Sequence, residues 1–237
     1  MEGNIEIVIS PTDEVLLNNA PWFSLTGPHS RFAEGSGKAR RYLVDVSPFY
    51  AIEDASDPES WIDLAALTGP EGIAVLTGNH IDIASNWTYV DGGFGIQMTG
   101  ESVAGVVDES AISLGPSDVP EMLDLVARAQ PGPFLPRTIE LGGYRGIRSN
   151  GVLVAMAGCR LNPAGWREIS AVCTDSDYRG QGLARRLVLD IVSQIRKESE
   201  VPFLHVSESN ENAIRLYERL GFHQRISSRF AVIQAPS

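Results

Sequence analysis

Thr174-Asp-Ser-Asp-Tyr-Arg-Gly-Gln-Gly-Leu-Ala-Arg-Arg-Leu187 is the stretch on which the fold turns. An apolar run, Ile169 to Cys173, precedes it. Leu183, Leu187, Val188, Ile191, Val192 and Ile195 follow at helical spacing. The pattern is strand, glycine-rich turn, helix. Gly180 and Gly182 stand where the helix begins, and without Cβ atoms they let a ligand approach the backbone closely. The first N–H groups of a helix lack intrahelical partners, and the helix dipole adds positive potential there. Together these make a cradle for phosphate. No Gly-Lys-Ser/Thr closes the turn, which excludes a Walker loop. The third glycine of the dinucleotide fingerprint is also missing.

Arg179-x-x-Gly182-x-Ala184 resembles the pyrophosphate loop of the GNAT N-acetyltransferases. Downstream, Asn210-Glu-Asn-Ala-Ile-Arg-Leu-Tyr-Glu-Arg-Leu-Gly-Phe222 is similar to that family's second signature, with an apolar strand, Phe203 to Ser207, between the two. The wording Ile169-Ser-Ala-Val-Cys-Thr174 resembles the branch related to the glycine N-acyltransferases. The resemblance covers roughly 111–234. It implies an α/β (α+β) fold with a mixed central sheet flanked by helices, and acetyl-CoA as co-substrate. Backbone groups of Val172, Cys173 and Thr174 are then expected to hold the pantetheine arm. The N–H groups of Arg179, Gly180, Gln181, Gly182, Leu183 and Ala184 would take the pyrophosphate. Asn210 is expected to cap its helix or touch the pantetheine. Tyr217 is the expected general acid, because a neutral phenol can protonate a departing thiolate. Glu168 is the expected base, with His205 on the next strand as the alternative; a surface ion pair of Glu168 with Arg160 or Arg167 is the competing structural reading. The implied reaction is direct attack of an amine, from a small molecule or a peptide, on the thioester. A longer acyl donor and an acyl-CoA-binding protein without turnover are the alternatives.

The bulk numbers agree with a soluble, ligand-binding protein. The chain has 237 residues and 43% apolar content, and no run approaches the length of a membrane span. Met1-Glu-Gly-Asn-Ile-Glu6 lacks the apolar core of a signal peptide. The net charge of −11 is uneven: residues 1–110 hold 4 Lys/Arg against 17 Asp/Glu, while 111–237 hold 15 against 13. An acidic first half argues against nucleic acid as partner, and either suits a cationic acceptor or is simply a solvated surface. The four scattered histidines have no metal-ligand spacing, so no metal is expected. The oligomeric state is left open, a homodimer included.

Two regions are read: an acidic α+β region over 1–108, whose element order is open to reading as a degenerate copy of the second half, and the GNAT-like domain over 109–237. In the first region, helices are expected over Thr12–Asn18, capped by Thr12 or Asp13, and over Phe23–Ala33, with Asn19–Trp22 as a break between them. Further expectations are a strand at Tyr42–Val46, a helix at Pro58–Leu67, a strand at Gly72–Leu76, and a hairpin of Trp87–Val90 with Phe94–Met98 around Asp91-Gly-Gly93. Gly35-Ser-Gly-Lys-Ala-Arg-Arg41 repeats the pattern of 180–186, but no strand precedes it, so it is read as a turn. Ala111–Leu114 is read as a strand, and Ser117 as the cap of the helix that follows. Val152–Cys159 and Trp166–Cys173 read as a hairpin in which Cys159 faces Glu168 and Cys173 faces Val154. That puts the thiols roughly 16 Å apart, too far for a disulfide, and implies a reducing, cytoplasmic setting.

Overall fold

The computed structural model describes residues 13–79 and 81–237. A 3₁₀ turn, Asp13–Asn19, runs into helix α1 (Ala20–Leu25). Then come strands β1 (Ala33–Glu34), β2 (Ala39–Tyr42) and β3 (Phe49–Ile52), helix α2 (Pro58–Thr68), β4 (Ile73–Gly78) and the long β5 (Thr88–Thr99). The second half holds β6 (Ile112–Ser113), α3 (Val119–Ala129), β7 (Arg145–Ser149), β8 (Val152–Cys159), β9 (Trp166–Thr174), α4 (Leu183–Lys197), β10 (Val201–Ser207), α5 (Glu211–Leu220) and β11 (His223–Gln234).

Among the described residues, the eleven strands form one sheet in the order β1-β2-β3-β4-β11-β5-β10-β9-β8-β7-β6. Its two wings follow the same plan. Strands β1, β2 and β3 pair antiparallel, as do β7, β8 and β9. On each wing the third strand crosses through a helix to a parallel neighbour, β3 to β4 and β9 to β10. At the centre the last strands are exchanged: β11 lies against β4, β5 lies against β10, and the two pair with each other along their length. The two wings thus share one strand order.

Helices α2 and α4 form where the expected signals lie. Asp57 caps α2 by accepting from the Glu59 N–H, Pro58 opens the helix, and Gly69 follows it. In α4 the side chains of Leu187, Val188, Ile191 and Val192 are fully buried against the sheet, with Met98 of β5 in the same cluster. On the opposite face, Leu17 and Leu25 pack on Trp166 and Phe203. Neighbouring strand residues point to opposite faces, so Met98 meets the α4 core while Gln97 reaches the Leu17 carbonyl at 2.9 Å.

Several expectations are corrected. Asn19–Trp22 starts a helix rather than breaking one, because Pro21 sits in the first turn, where its missing N–H costs nothing. That helix ends at Leu25, so no helix spans Phe23–Ala33. The cap by Thr12 lies outside the described residues. The strand placed at Tyr42–Val46 lies earlier, at Ala39–Tyr42, and Val46 N–H turns back to the Leu43 carbonyl. Asp91-Gly-Gly93 is not a turn: β5 runs straight through it, with a register shift against β11 between Val232 and Ile233. Glycines in a strand mark such irregularities as readily as hairpins. Ser117 does not cap α3; Asp118 folds back onto the Gly115 N–H instead. The strand around Ala111–Leu114 shrinks to Ile112–Ser113.

The hairpin of β8 and β9 forms with a shifted register. Cys159 faces Ile169, one residue on from the expected partner, and Cys173 faces Met156, shifted by one more because two residues of β9, Ala171 and Val172, bulge opposite Ala157. Ala171 takes the left-handed conformation there, at φ 53°. Both cysteines are buried free thiols. Among the described residues, no helix is long and apolar enough to cross a membrane.

Candidate active site

The site begins where two parallel strands part. Strands β9 and β10 pair from Trp166↔Val201 to Ile169↔Leu204 and no further, although β9 continues to Thr174 and β10 to Ser207. The bulge at Ala171 bends β9 just past that point. The backbone of Val172, Cys173 and Thr174 therefore lines an opening in the sheet, where strand groups face no strand partner on the β10 side. Thr174 Oγ1 is buried there without a hydrogen-bond partner.

The turn that follows is built for anion approach. Asp175 accepts from the Asp177 N–H and from Arg128 Nε at 3.0 Å, pinning the start of the loop. Gly180 and Gly182 take left-handed φ values of 76° and 74°, and a Cβ on either would meet open space. Conformation, not crowding, selects glycine here. Gly182 caps α4, and the first N–H to close back into the helix is that of Arg186, onto the Gly182 carbonyl at 3.1 Å. The N–H groups of the preceding turn, Leu183 and Ala184 included, point out of the helix end. Arg179 is an exception among the expected donors, because its N–H is taken by the Ser176 carbonyl. Gln181 is exposed and Leu183 is buried beneath the turn. These features fit a pantetheine and pyrophosphate arm: open N–H groups at a helix start, and no acidic side chain in the first turn of α4.

The look-alike loop at Gly35–Arg41 is filled from within. It turns between β1 and β2, and the Lys38 N–H is held by Asp63 at 2.7 Å. A Cβ on Gly37 would collide with that same carboxylate.

Asn210 caps α5, accepting from the Ala213 N–H at 3.1 Å. Two turns on, Tyr217 is 7% exposed, within the α4 core and 6.0 Å from the Phe222 ring. Burial pushes its phenol up to about 12. Among the described residues its hydroxyl has no hydrogen-bond partner. Cys173 and Cys159 are likewise pushed up to about 12 by burial, so neither offers a thiolate near neutral pH.

Glu168 lies on the opposite face and is fully buried. Arg160 grips it with two bonds of 2.8 and 2.6 Å, the Leu161 N–H adds a third at 3.2 Å, and His205 Nδ1 a fourth at 2.7 Å. Burial would raise its pKa, but the Arg160 charge and these bonds outweigh it and hold the carboxyl below its ordinary range. Of the two readings of Glu168, the ion pair is the one seen here. It is an ion-pair partner of Arg160, but in the core instead of on the surface. His205, one strand over and part-exposed, is the side chain that carries the pair toward solvent. Gln97, whose side chain meets His205 Nε2 at 3.1 Å, gave no sequence signal at all. Among the described residues, no group of three His, Cys, Asp or Glu could hold a metal.

A putative acetyltransferase of the GNAT family from Novosphingobium aromaticivorans is 34% identical, and its solved structure superposes with a TM-score of 0.85 over 93% of this chain and 99% of that one. The chain belongs to the GNAT family. A family model described as FR47-like protein matches residues 144–231, which include the turn, α4 and α5 of this GNAT protein. The N-alpha-acetyltransferase RimI of Mycobacterium tuberculosis is 37% identical over 89 residues, 36% of this chain and 54% of RimI. The match thus spans about half the length of that curated relative. A GCN5-related N-acetyltransferase from Kribbella flavida shares the fold across 97% of both chains, at 16% identity and a TM-score of 0.60.

Proposed function

We propose that this GNAT protein is an acetyl-CoA-dependent N-acetyltransferase acting by direct attack of an amine on the thioester. The observation that carries the reading is the parting of β9 and β10 after Ile169 and Leu204, leading into the Gly180–Gly182 turn at the start of α4. The N–H groups of Gly180 to Ala184 and the α4 dipole hold the pyrophosphate. The Val172–Thr174 backbone holds the pantetheine arm and orients the thioester carbonyl.

The amine enters from the face that carries His205. As its nitrogen bonds to the carbonyl carbon, its proton passes to His205 Nε2, while Glu168 behind the ring holds Nδ1–H. Glu168 thus acts on the amine through His205 and not by contact, because it has no exposed surface. The C–S bond breaks as the tetrahedral centre collapses. Tyr217 meets the departing sulfur. A phenol near 12 is a weaker acid than a thiol of about 8.5, so Tyr217 keeps its proton and donates a hydrogen bond to the developing thiolate, while the proton taken by His205 passes to solvent and the sulfur takes one from solvent.

The acceptor is an amine of a small molecule or a peptide N terminus. RimI, the relative named above, is an N-alpha-acetyltransferase, and the acidic first half steers a cationic acceptor. The buried free thiols suit a reducing, cytoplasmic setting.

The test is thiol release from acetyl-CoA, and from a longer acyl-CoA, across a panel of amines and N-terminal peptides. Tyr217→Phe is expected to cut kcat about a hundredfold with the affinity for acetyl-CoA unchanged. Full activity in that variant would remove Tyr217 from the mechanism. Absence of thiol release with every acceptor, despite coenzyme binding, would favour an acyl-CoA-binding protein without turnover.

A further inference from the structure

A chain of hydrogen bonds crosses from the second half to the first beneath the acceptor face. Arg160 holds Glu168, Glu168 accepts from His205 Nδ1, and His205 Nε2 meets Gln97. The Gln97 carboxamide is fixed at its other positions. It donates to the buried Leu17 carbonyl at 2.9 Å, and its oxygen accepts from Arg225 Nη1 at 2.9 Å. Arg225 is itself tied to the Glu14 carbonyl at 3.0 Å and to Asn18 Oδ1 at 2.8 Å. Turning the amide over would set oxygen against the Leu17 carbonyl and NH₂ against a guanidinium. Both contacts would be repulsive, because a guanidinium only donates and a carbonyl only accepts. The second N–H of Gln97 therefore points at His205 Nε2. At the other end the Glu168 carboxylate, held charged by Arg160, only accepts, so Nδ1 carries the proton. Both ends select one tautomer, with Nε2 bare.

We propose that Gln97, from the first half of the chain, is a positioning residue for His205. It fixes the Nδ1–H tautomer and holds Nε2 as the acceptor, and an amine N–H reaches that lone pair only by taking the place of the Gln97 N–H. The Phe203 ring, edge-on to the imidazole at 5.8 Å, limits tilting of the ring. The inference rests on the reading of His205 as the base. It also gives the first half a role in the chemistry: β5 supplies Gln97, and the 3₁₀ turn supplies the carbonyl that orients it.

The experiment is long-range ¹H–¹⁵N correlation on the full chain labelled at histidine nitrogens, with the His205 signals assigned by their loss in His205→Gln. The wild type is expected to show one His205 form, protonated at Nδ1 and bare at Nε2. Gln97→Met is expected to show a mixture of tautomers and a kcat lowered at least about tenfold, with the KM for acetyl-CoA and the coenzyme-induced rise in melting temperature unchanged. A wild-type ring protonated at Nε2 would overturn the proposal. So would a Gln97→Met protein that keeps a single Nδ1–H form and full kcat. If the wild type gains no thermal stability from acetyl-CoA, the acetyltransferase reading fails, whereas the tautomer result stands or falls by itself.

Discussion

Arg160→Met is expected to lower the melting temperature by about 10 °C. The guanidinium is the main counter-charge of a carboxylate with no solvent exposure. Removing one partner of a buried pair costs about 3–5 kcal/mol, because the other is left uncompensated. For a chain of this size, each kcal/mol moves the midpoint by about 2–4 °C. The second variant distinguishes mechanism from mere disruption. In Arg160→Met with Glu168→Leu, neither charge remains, and replacing a buried pair by apolar groups is often neutral or better. The double variant should regain much of the loss. The pair also sets an acid limit. Glu168 binds its proton less readily in the folded than in the unfolded state, so the unfolded chain takes up protons first as pH falls. The stability it contributes is complete above the unfolded glutamate value of about 4.3 and is lost progressively below it. Melting curves of wild type and both variants, at pH 7 and pH 4, check this. An Arg160→Met protein that melts within about 2 °C of wild type at pH 7 would show that the ion pair is not structurally required.

Residues 109–237 expressed alone are expected to lack a cooperative melting transition. The boundary after residue 108 is where the change of charge and the family resemblance place it, yet β5 lies before it while both its neighbours lie after it. Without β5, β10 loses its partner on one side from Phe203 to Ser207. Strand β11 loses its partner from His223↔Thr99 to Gln234↔Thr88. Met98, fully buried among the residues of the α4 cluster, leaves a hole there. Losing one Met-sized side chain from a core costs about 2–5 kcal/mol, and here a whole strand goes with it. Coexpression of 1–108 with 109–237 should restore a soluble complex that melts as one. A sharp transition for the isolated second half would show that the exchange of strands is dispensable.

The second half was legible because its decisive features are local. Gly180 and Gly182, the spacing from Leu183 to Ile195, and Asn210 to Phe222 all act within a few turns of chain, and each forms the element that its spacing implies. The first half misled where a local signal has two structural outcomes. Asp91-Gly-Gly93 suits a hairpin or an irregular strand, and only β11, more than 130 residues away, decides for the strand. Pro21 ends one helix or opens another, depending on where Leu17 and Leu25 find a core. Around the site, Glu168 and His205 were visible as residue types on adjacent strands, but their charge state and partners were not. Gln97, Leu17 and Arg225 come from three distant segments, and no periodicity links them.

Calorimetric titration with acetyl-CoA of wild type and Ala184→Asp tests whether the turn before α4 is the coenzyme cradle, one per chain. Residue 184 lies in the first turn of α4, where a carboxylate stabilises the helix by about 0.3–1 kcal/mol. The same carboxylate would stand against a bound pyrophosphate, at roughly 4 kcal/mol for like charges about 4 Å apart near a protein surface. The wild type is expected to bind at one site per chain, and Ala184→Asp with an affinity at least about a hundredfold weaker and a melting temperature equal or higher. Equal affinity in both proteins, or no binding in the wild type, would contradict that assignment.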